Sequence, residues 1–324
     1  MPAVTADPLT LPRVPGPDST TTSFRDVTQV VTATRTMEGE GFHVRRPFPG
    51  VLSLQQADPF LLLDHMGGTE YRPYEAKGAP DHPHLGFETV TYMLDGEMEH
   101  RDSTGSGGII RGGDTQWMTA GAGIVHSEMP SHKLYVTGGL MHGLQLWVNL
   151  PRSDKLVAPR YQDLVGNDLP LLTNHDGTTL IRLIAGELDG GEAGTFTGKG
   201  QTYTPIIYAH ATVAPGSELK LPWPQEFNAL AYVIAGSGTV GSSGAHVDEG
   251  QMAVMGPGDA LHVTAAPVQP SNVGALEIIL LGGRPIREPI VHYGPFVMNT
   301  KAEILTALQD YQAGRMGRIP PAHS

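Results

Sequence analysis

Asp81-His-Pro-His-Leu-Gly-Phe-Glu-Thr-Val90, followed further along by His126-Ser-Glu128-Met-Pro130, is the part of the sequence from which the fold is read. Side chains alternate across a β-strand, so residues i and i+2 share a face. On strands, His82 and His84 make one pair of ligand-type side chains, and His126 and Glu128 make a second. Closing a small barrel brings such strands together, and the four side chains then converge. Three imidazoles and one carboxylate suit a borderline first-row metal such as iron, manganese, nickel, copper or zinc. A lone His-x-His is weak evidence for a site, whereas two such pairs in one Gly-rich β pattern reinforce each other.

The sequence around these pairs is strand and turn. Phe87 to Leu94 is β-branched and aromatic, and Asp95-Gly96 is a tight-turn signal. Glu97 to Arg101, Gln116 to Thr119 and the alternating stretch Gly143 to Asn149 continue the pattern, separated by Gly-rich turns. Upstream, Asp58-Pro-Phe-Leu-Leu-Leu-Asp-His65 reads as a buried strand. Many short strands without long intervening helices point to an all-β sandwich or barrel. Near the far end, Thr300 with Glu303 is a capping box. Ile304, Leu305, Leu308 and Tyr311 follow at helical spacing, and Gly314 is a stop signal.

The pattern repeats within the chain. Phe87, Tyr92 and Gly96 recur as Phe227, Tyr232 and Gly236, and Gly113-Asp114 matches Gly258-Asp259, which implies two copies of one β unit. Under this alignment His82, His84 and Glu88 become Pro222, Pro224 and Asn228, while Ser271 and Val273 fall near the counterparts of His126 and Glu128. One metal site, in the first copy, is the expectation.

Composition narrows the function classes. Gly 41 and Pro 27 without a collagen period are turn punctuation in an all-β chain. The formal net charge of −12 argues against direct nucleic-acid binding, which needs a clustered basic face. With no cysteine, disulfide and thiolate chemistry are absent. No apolar run is long enough for a membrane span, and the first residues lack the pattern of a signal peptide, so a cytoplasmic protein is expected. No G-x-S-x-G elbow or phosphate loop is present, which disfavours a hydrolase or nucleotide enzyme.

The combination resembles the pirin family, bicupins of the cupin superfamily. The resemblance is carried by residues 81–90, by Trp117-Met-Thr-Ala-Gly-Ala-Gly-Ile-Val-His-Ser-Glu-Met-Pro130 and by His142-Gly-Leu-Gln-Leu-Trp-Val-Asn-Leu150. Arg287-Glu-Pro-Ile290 and Tyr293-Gly-Pro-Phe-Val-Met-Asn-Thr300 add to it. It implies two jelly-roll β-barrels with a short C-terminal helix. Residues 1–24 would be a flexible tail, 25–155 an N-terminal cupin domain with the metal site, and 156–324 a C-terminal cupin domain without ligands that ends in the helix. A linker is expected over residues 151–170.

The resemblance also implies iron, Fe2+ or Fe3+, on His82, His84, His126 and Glu128, with other divalent first-row metals as substitutes. Glu88 sits where the general cupin motif has its carboxylate and so competes with Glu128; pirins use the later one, which leaves Glu88 to orient a ligand imidazole. Leu85 stands where pirins usually carry arginine. Some pirins are similar in having quercetin 2,3-dioxygenase activity, which implies a flavonol-like substrate and O2, with Glu128 accepting the proton of a phenolic or enolic hydroxyl. Others are iron-dependent, redox-sensitive regulators, which implies a protein partner as the alternative. His65 is weighed equally as a pocket residue and as a structural hydrogen-bonding group, Gln116 as pocket lining and Trp117 as pocket or core; His132 and His142 are near the site in sequence only, and His262 and His292 are read as structural.

Overall fold

Phe87–Asp95 is buried on both faces nearly throughout, as expected for a β-branched and aromatic run lying inside a sheet. In the computed structural model, which describes residues 6–18, 20–270 and 274–320, this strand sits within a seven-stranded sheet. The order is Arg160–Leu164, Thr115–Thr119, Phe87–Asp95, Gly139–Asn149, Phe60–Tyr71, Phe42–Phe48, Thr34–Glu38. A four-stranded sheet, ordered Ala79–His84, Ile124–Pro130, Glu97–Asp102, Gly107–Arg111, completes the first cupin barrel.

The second barrel repeats this plan. Its seven-stranded sheet runs Val27–Thr32, Gln251–Met255, Asn228–Ala235, Leu276–Gly283, Ile206–Val213, Thr179–Ala185, Leu171–Leu172. Its four-stranded sheet runs Glu218–Pro222, Ala260–Ala265, Ser237–Val240, Ala245–Asp248. The chain is an all-β bicupin, and among the described residues no helix is long and apolar enough to cross a membrane.

The two compact units are not contiguous in sequence. One comprises residues 1–34, 47–58 and 167–285, and the other residues 35–46, 59–166 and 286–324. Relative to a single cut at 155/156, residues 25–34 and 47–58 group with the later part of the chain, and 156–166 and 286–324 with the earlier part. The stretch before residue 25 is not a free tail where it is described: Val14 is fully buried in the apolar core of the second barrel, and its N–H donates to Thr173 O at 2.8 Å. The expected linker contains Arg160–Leu164, which pairs with Thr115–Thr119.

The C-terminal segment packs on the first barrel. Helix Lys301–Gln312 starts at the anticipated capping box, with Thr300 accepting from Glu303 N and Glu303 accepting from Thr300 N. It buries Ile304 and Ala307 beside Leu85, Val125, Phe296 and Met298. Leu305, expected on the packed face, is 61% exposed. Leu85, where the resemblance led to the expectation of an arginine, is an apolar anchor in this cluster; its N–H donates to Pro295 O at 3.2 Å, and Val297 N donates to Leu85 O at 3.0 Å.

Ladder positions correct the internal alignment. Gly113 N donates to Met93 O in the first barrel, and Gly250 N donates to Val233 O in the second, so Gly250 and not Gly258 is the equivalent of Gly113. In the first barrel His126 lies opposite His82 and Glu128 opposite His100. In the second, Leu261 lies opposite Leu221 and Val263 opposite Val240. The counterparts of His82, His84, His126 and Glu128 are therefore Leu221, Trp223, Leu261 and Val263, all four in one apolar core. Ser271 and Val273 lie outside the described residues. The ladder thus sets apolar side chains at these four positions of the second barrel, and the positions differ from those inferred from a constant offset.

Candidate metal centre

Ala79–His84 is an edge strand, which is where Pro80 and Pro83 are tolerated because no neighbour needs their missing N–H. His126 pairs with His82 while Glu128 pairs with Ala79, so one extra residue bulges out of the Ala79–His84 side between them. The bulge leaves His82 and His84 on the face of His126. After His84 the chain must turn sharply, and Gly86 makes that corner at φ +88°, where a Cβ would lie 2.0 Å from Val297 O.

The three imidazoles converge as parity predicts. One ring nitrogen from each of His82, His84 and His126 lies within 4.8 Å of the others. His82 Nε2 and His84 Nε2 are 3.0 Å apart. Two nitrogens bound about 2.1 Å from one ion at about a right angle are separated by about 3 Å, so the pair is spaced as two ligands of a single ion would be. His82 is aimed by its Nδ1, 2.7 Å from Pro80 O. Both ring nitrogens of His126 are buried with no protein hydrogen-bond partner. Burial, and then the neighbouring imidazoles, hold His84 and His126 well below the usual histidine range, which keeps them neutral as ligation requires. An orphaned buried imidazole is costly unless something binds it, and a metal ion fits that requirement.

Glu128 shares the face of His126 but stands outside this cluster. Its Oε1 accepts from Thr91 Oγ1 at 2.8 Å and its Oε2 from Gln145 Nε2 at 2.8 Å. Gln145 Oε1 in turn accepts from the Trp147 indole N–H at 3.3 Å. Trp147 packs against Phe87 with centroids 4.4 Å apart and meets His84 edge-on at 5.2 Å. On the strand beside Glu128 and His126 lie His100 and Asp102, each with a buried atom lacking a partner. Tyr161 packs 4.5 Å from the His100 ring. The interior of this barrel is polar where that of the second is apolar.

Glu88 does not belong to the site. Thr91 reaches Glu128, and Phe87 touches His84; Glu88 alternates with both and points to the other face of the sheet, with Trp117 and Thr119 as cross-strand neighbours on that side. It neither ligates nor orients an imidazole. Thr119 Oγ1 donates to its Oε1 at 2.7 Å, and the Trp117 indole lies near its other oxygen without making a hydrogen bond of good geometry. Burial pushes the Glu88 carboxyl up to about 7. Between the unfolded carboxyl's titration at about 4.3 and the folded one near 7, the folded state holds the extra proton, so stability falls as pH rises through that window. Glu88→Gln is expected to remove that fall in a urea-denaturation pH series and to leave metal content unchanged; a loss of metal would contradict the assigned face.

The remaining weighed residues separate along the same lines. Trp117 is core, fully buried on the face of Glu88. Gln116 faces the site interior and donates to Asp163 Oδ1 at 3.0 Å. His65 lies opposite Leu144, on the face away from Gln145, and pairs with His142 at 2.8 Å. His132 begins a short surface helix, His292 is exposed, and His262 lies 3.4 Å from Glu218. In the sequence Gln145 and Trp147 stand out only as members of the pirin-like stretch 142–150 and Thr91 only as a strand residue, since the contacts that join them are made across strands.

Comparisons with known proteins show the family and the fold of the chain. The pirin family profile matches residues 41–148, and that of the pirin C-terminal cupin domain matches residues 208–317. A pirin-like protein of Solanum lycopersicum is 46% identical over 294 residues, covering 90% of this chain and 93% of its own. Human pirin is 39% identical over 298 residues, covering 91% and 95%. A crystal structure of quercetin 2,3-dioxygenase from Acinetobacter baumannii superposes with a TM-score of 0.84 at 34% identity, over 92% of this chain and all of that one.

Proposed function

Because the chain belongs to the pirin family, we propose that it is a mononuclear metal-dependent dioxygenase acting on flavonols of the quercetin type. His82, His84, His126 and Glu128 are its ligands, and iron is its metal. The observation that carries this reading is the trio of converging imidazoles, one of them buried with both nitrogens unpartnered. The similarity to a quercetin 2,3-dioxygenase over the whole fold supports the substrate class.

The metal, when bound, supplies Lewis acidity and the redox chemistry that dioxygen activation requires. The protein's own residues bind, orient and move the proton. Glu128 is an interior carboxylate placed to accept the proton of a flavonol hydroxyl, and Thr91 and Gln145, each donating to one of its oxygens, hold it in place. Trp147, half-buried and backed by the buried Phe87 ring, presents aromatic surface beside His84, suited to the planar ring system of a flavonol. Thr89 and Met118 lie buried on the same sheet face.

Metal analysis of the purified protein followed by oxygen uptake with a panel of flavonols tests the reading. Oxygen consumption that requires both metal and flavonol is expected. Uptake no greater than the buffer rate with every flavonol, at full iron loading, rules the activity out.

A further inference from the structure

We propose that Thr91, Gln145 and Trp147 are positioning residues that set the orientation and donor strength of the Glu128 carboxylate at the metal centre. This rests on the reading of His82, His84, His126 and Glu128 as one donor set. Thr91 and Gln145 are directly opposite each other on neighbouring strands. Each gives one hydrogen bond to a different carboxylate oxygen, both at 2.8 Å. The two contacts stop the carboxylate from turning about its last bond.

The Gln145 amide itself has one allowed orientation. Its oxygen accepts from the Trp147 indole, which can only donate. Flipping the amide would set oxygen against carboxylate oxygen and NH2 against the indole N–H, so both hydrogen bonds would become repulsions. Trp147 is therefore the residue that decides which group Gln145 turns toward Glu128. The same indole packs edge-on against His84 and against Phe87, so one aromatic ring braces an imidazole and, through Gln145, the carboxylate.

The chemical consequence follows from counting lone pairs. An ionised carboxylate offers about four acceptor positions, and two are committed to Thr91 and Gln145. The donors also draw charge from the oxygens, which makes Glu128 a weaker donor than a carboxylate without such partners. Glu128 is thus the exchangeable member of the set, and the three imidazoles are its fixed part. Outer-sphere partners of this kind typically change metal affinity or activity by about 10–100-fold when removed.

Cobalt(II) binding, measured by competition with a chromophoric chelator and by visible absorption, tests the proposal without reference to turnover. Thr91→Val and Gln145→Leu are each expected to weaken binding by about 10–100-fold and to shift the cobalt absorption bands. Thr91→Ser, which keeps the hydroxyl, is expected to restore both. In a Glu128→Ala background neither Thr91→Val nor Gln145→Leu should have further effect, because the residue they act through is gone. The full loss persisting in that background would show a general structural effect and overturn the proposal. Unchanged affinity and spectra in the single variants would overturn it as well. Cobalt binding that follows the expected pattern in a protein that consumes no oxygen would sink the dioxygenase reading alone, and wild-type protein that takes up no cobalt would sink both.

Discussion

His126→Leu is expected to abolish metal binding while leaving the metal-free protein at least as stable as the metal-free parent. His126 is 1% exposed and both its ring nitrogens lack protein partners. Each such buried nitrogen costs about 1–3 kcal/mol when nothing binds it, a cost that leucine does not carry. The second barrel contains this substitution already, because Leu261 occupies the ladder position of His126 and packs against Leu221 in the apolar core. With metal present the order reverses. An ion held at about 1,000 times its dissociation constant adds about 4 kcal/mol to the folded state, and only the parent can gain it. Thermal melts with and without a chelator should therefore show a chelator-dependent midpoint for the parent and a chelator-independent one for His126→Leu. A variant that melts far below the metal-free parent would mean that His126 is a structural residue whose partners differ from those described.

How much of this site could be read from spacing depended on how local each relation is. His82 and His84 share one strand, and His126 and Glu128 share another, so the period of two placed each pair without knowledge of the fold. Glu88 is separated from His84 by the corner at Leu85 and Gly86, and a corner resets the alternation. Counting residues could not tell which face Glu88 takes, whereas its cross-strand partner Thr119 does. The posture of Glu128 depends on Thr91 and Gln145, which are brought to it by two other strands. The internal duplication was visible in Phe87, Tyr92 and Gly96, but a constant offset failed further along because the later turns of the second barrel are shorter. What identifies Leu261 and Val263 is the ladder.

The division of the chain was hidden for the same reason. Val27–Thr32 pairs with Gln251–Met255, a partner more than two hundred positions away. Helix Lys301–Gln312 packs beside Leu85 and Val125. The helix itself was readable, because a capping box and a Gly stop are local signals. Its partner was not, since any apolar face of sufficient size could have served.

Lys155→Met is expected to destabilise the first barrel by about 1.5–6 kcal/mol, the larger of two opposing effects deciding the sign. Lys155 is 1% exposed, and its Nζ donates to Gly86 O at 2.8 Å, Asn149 Oδ1 at 2.8 Å and Val297 O at 3.1 Å. It thereby ties the corner after His84 to the C-terminal segment. Burial pushes its ammonium down to about 8, which corresponds to a cost of about 3 kcal/mol for keeping the charge at neutral pH. Three hydrogen bonds from a charged donor contribute about 1.5–3 kcal/mol each, so their loss outweighs the relief. The pH dependence separates the two effects. The folded lysine's pKa lies below the unfolded value of about 10.4, so between about 8 and 10.4 the unfolded chain binds the extra proton and stability rises with pH. That rise should be present in urea titrations of the parent and missing from Lys155→Met. A parent whose stability declines steadily from pH 8 to 10 would mean that the three acceptors, not burial, control this ammonium.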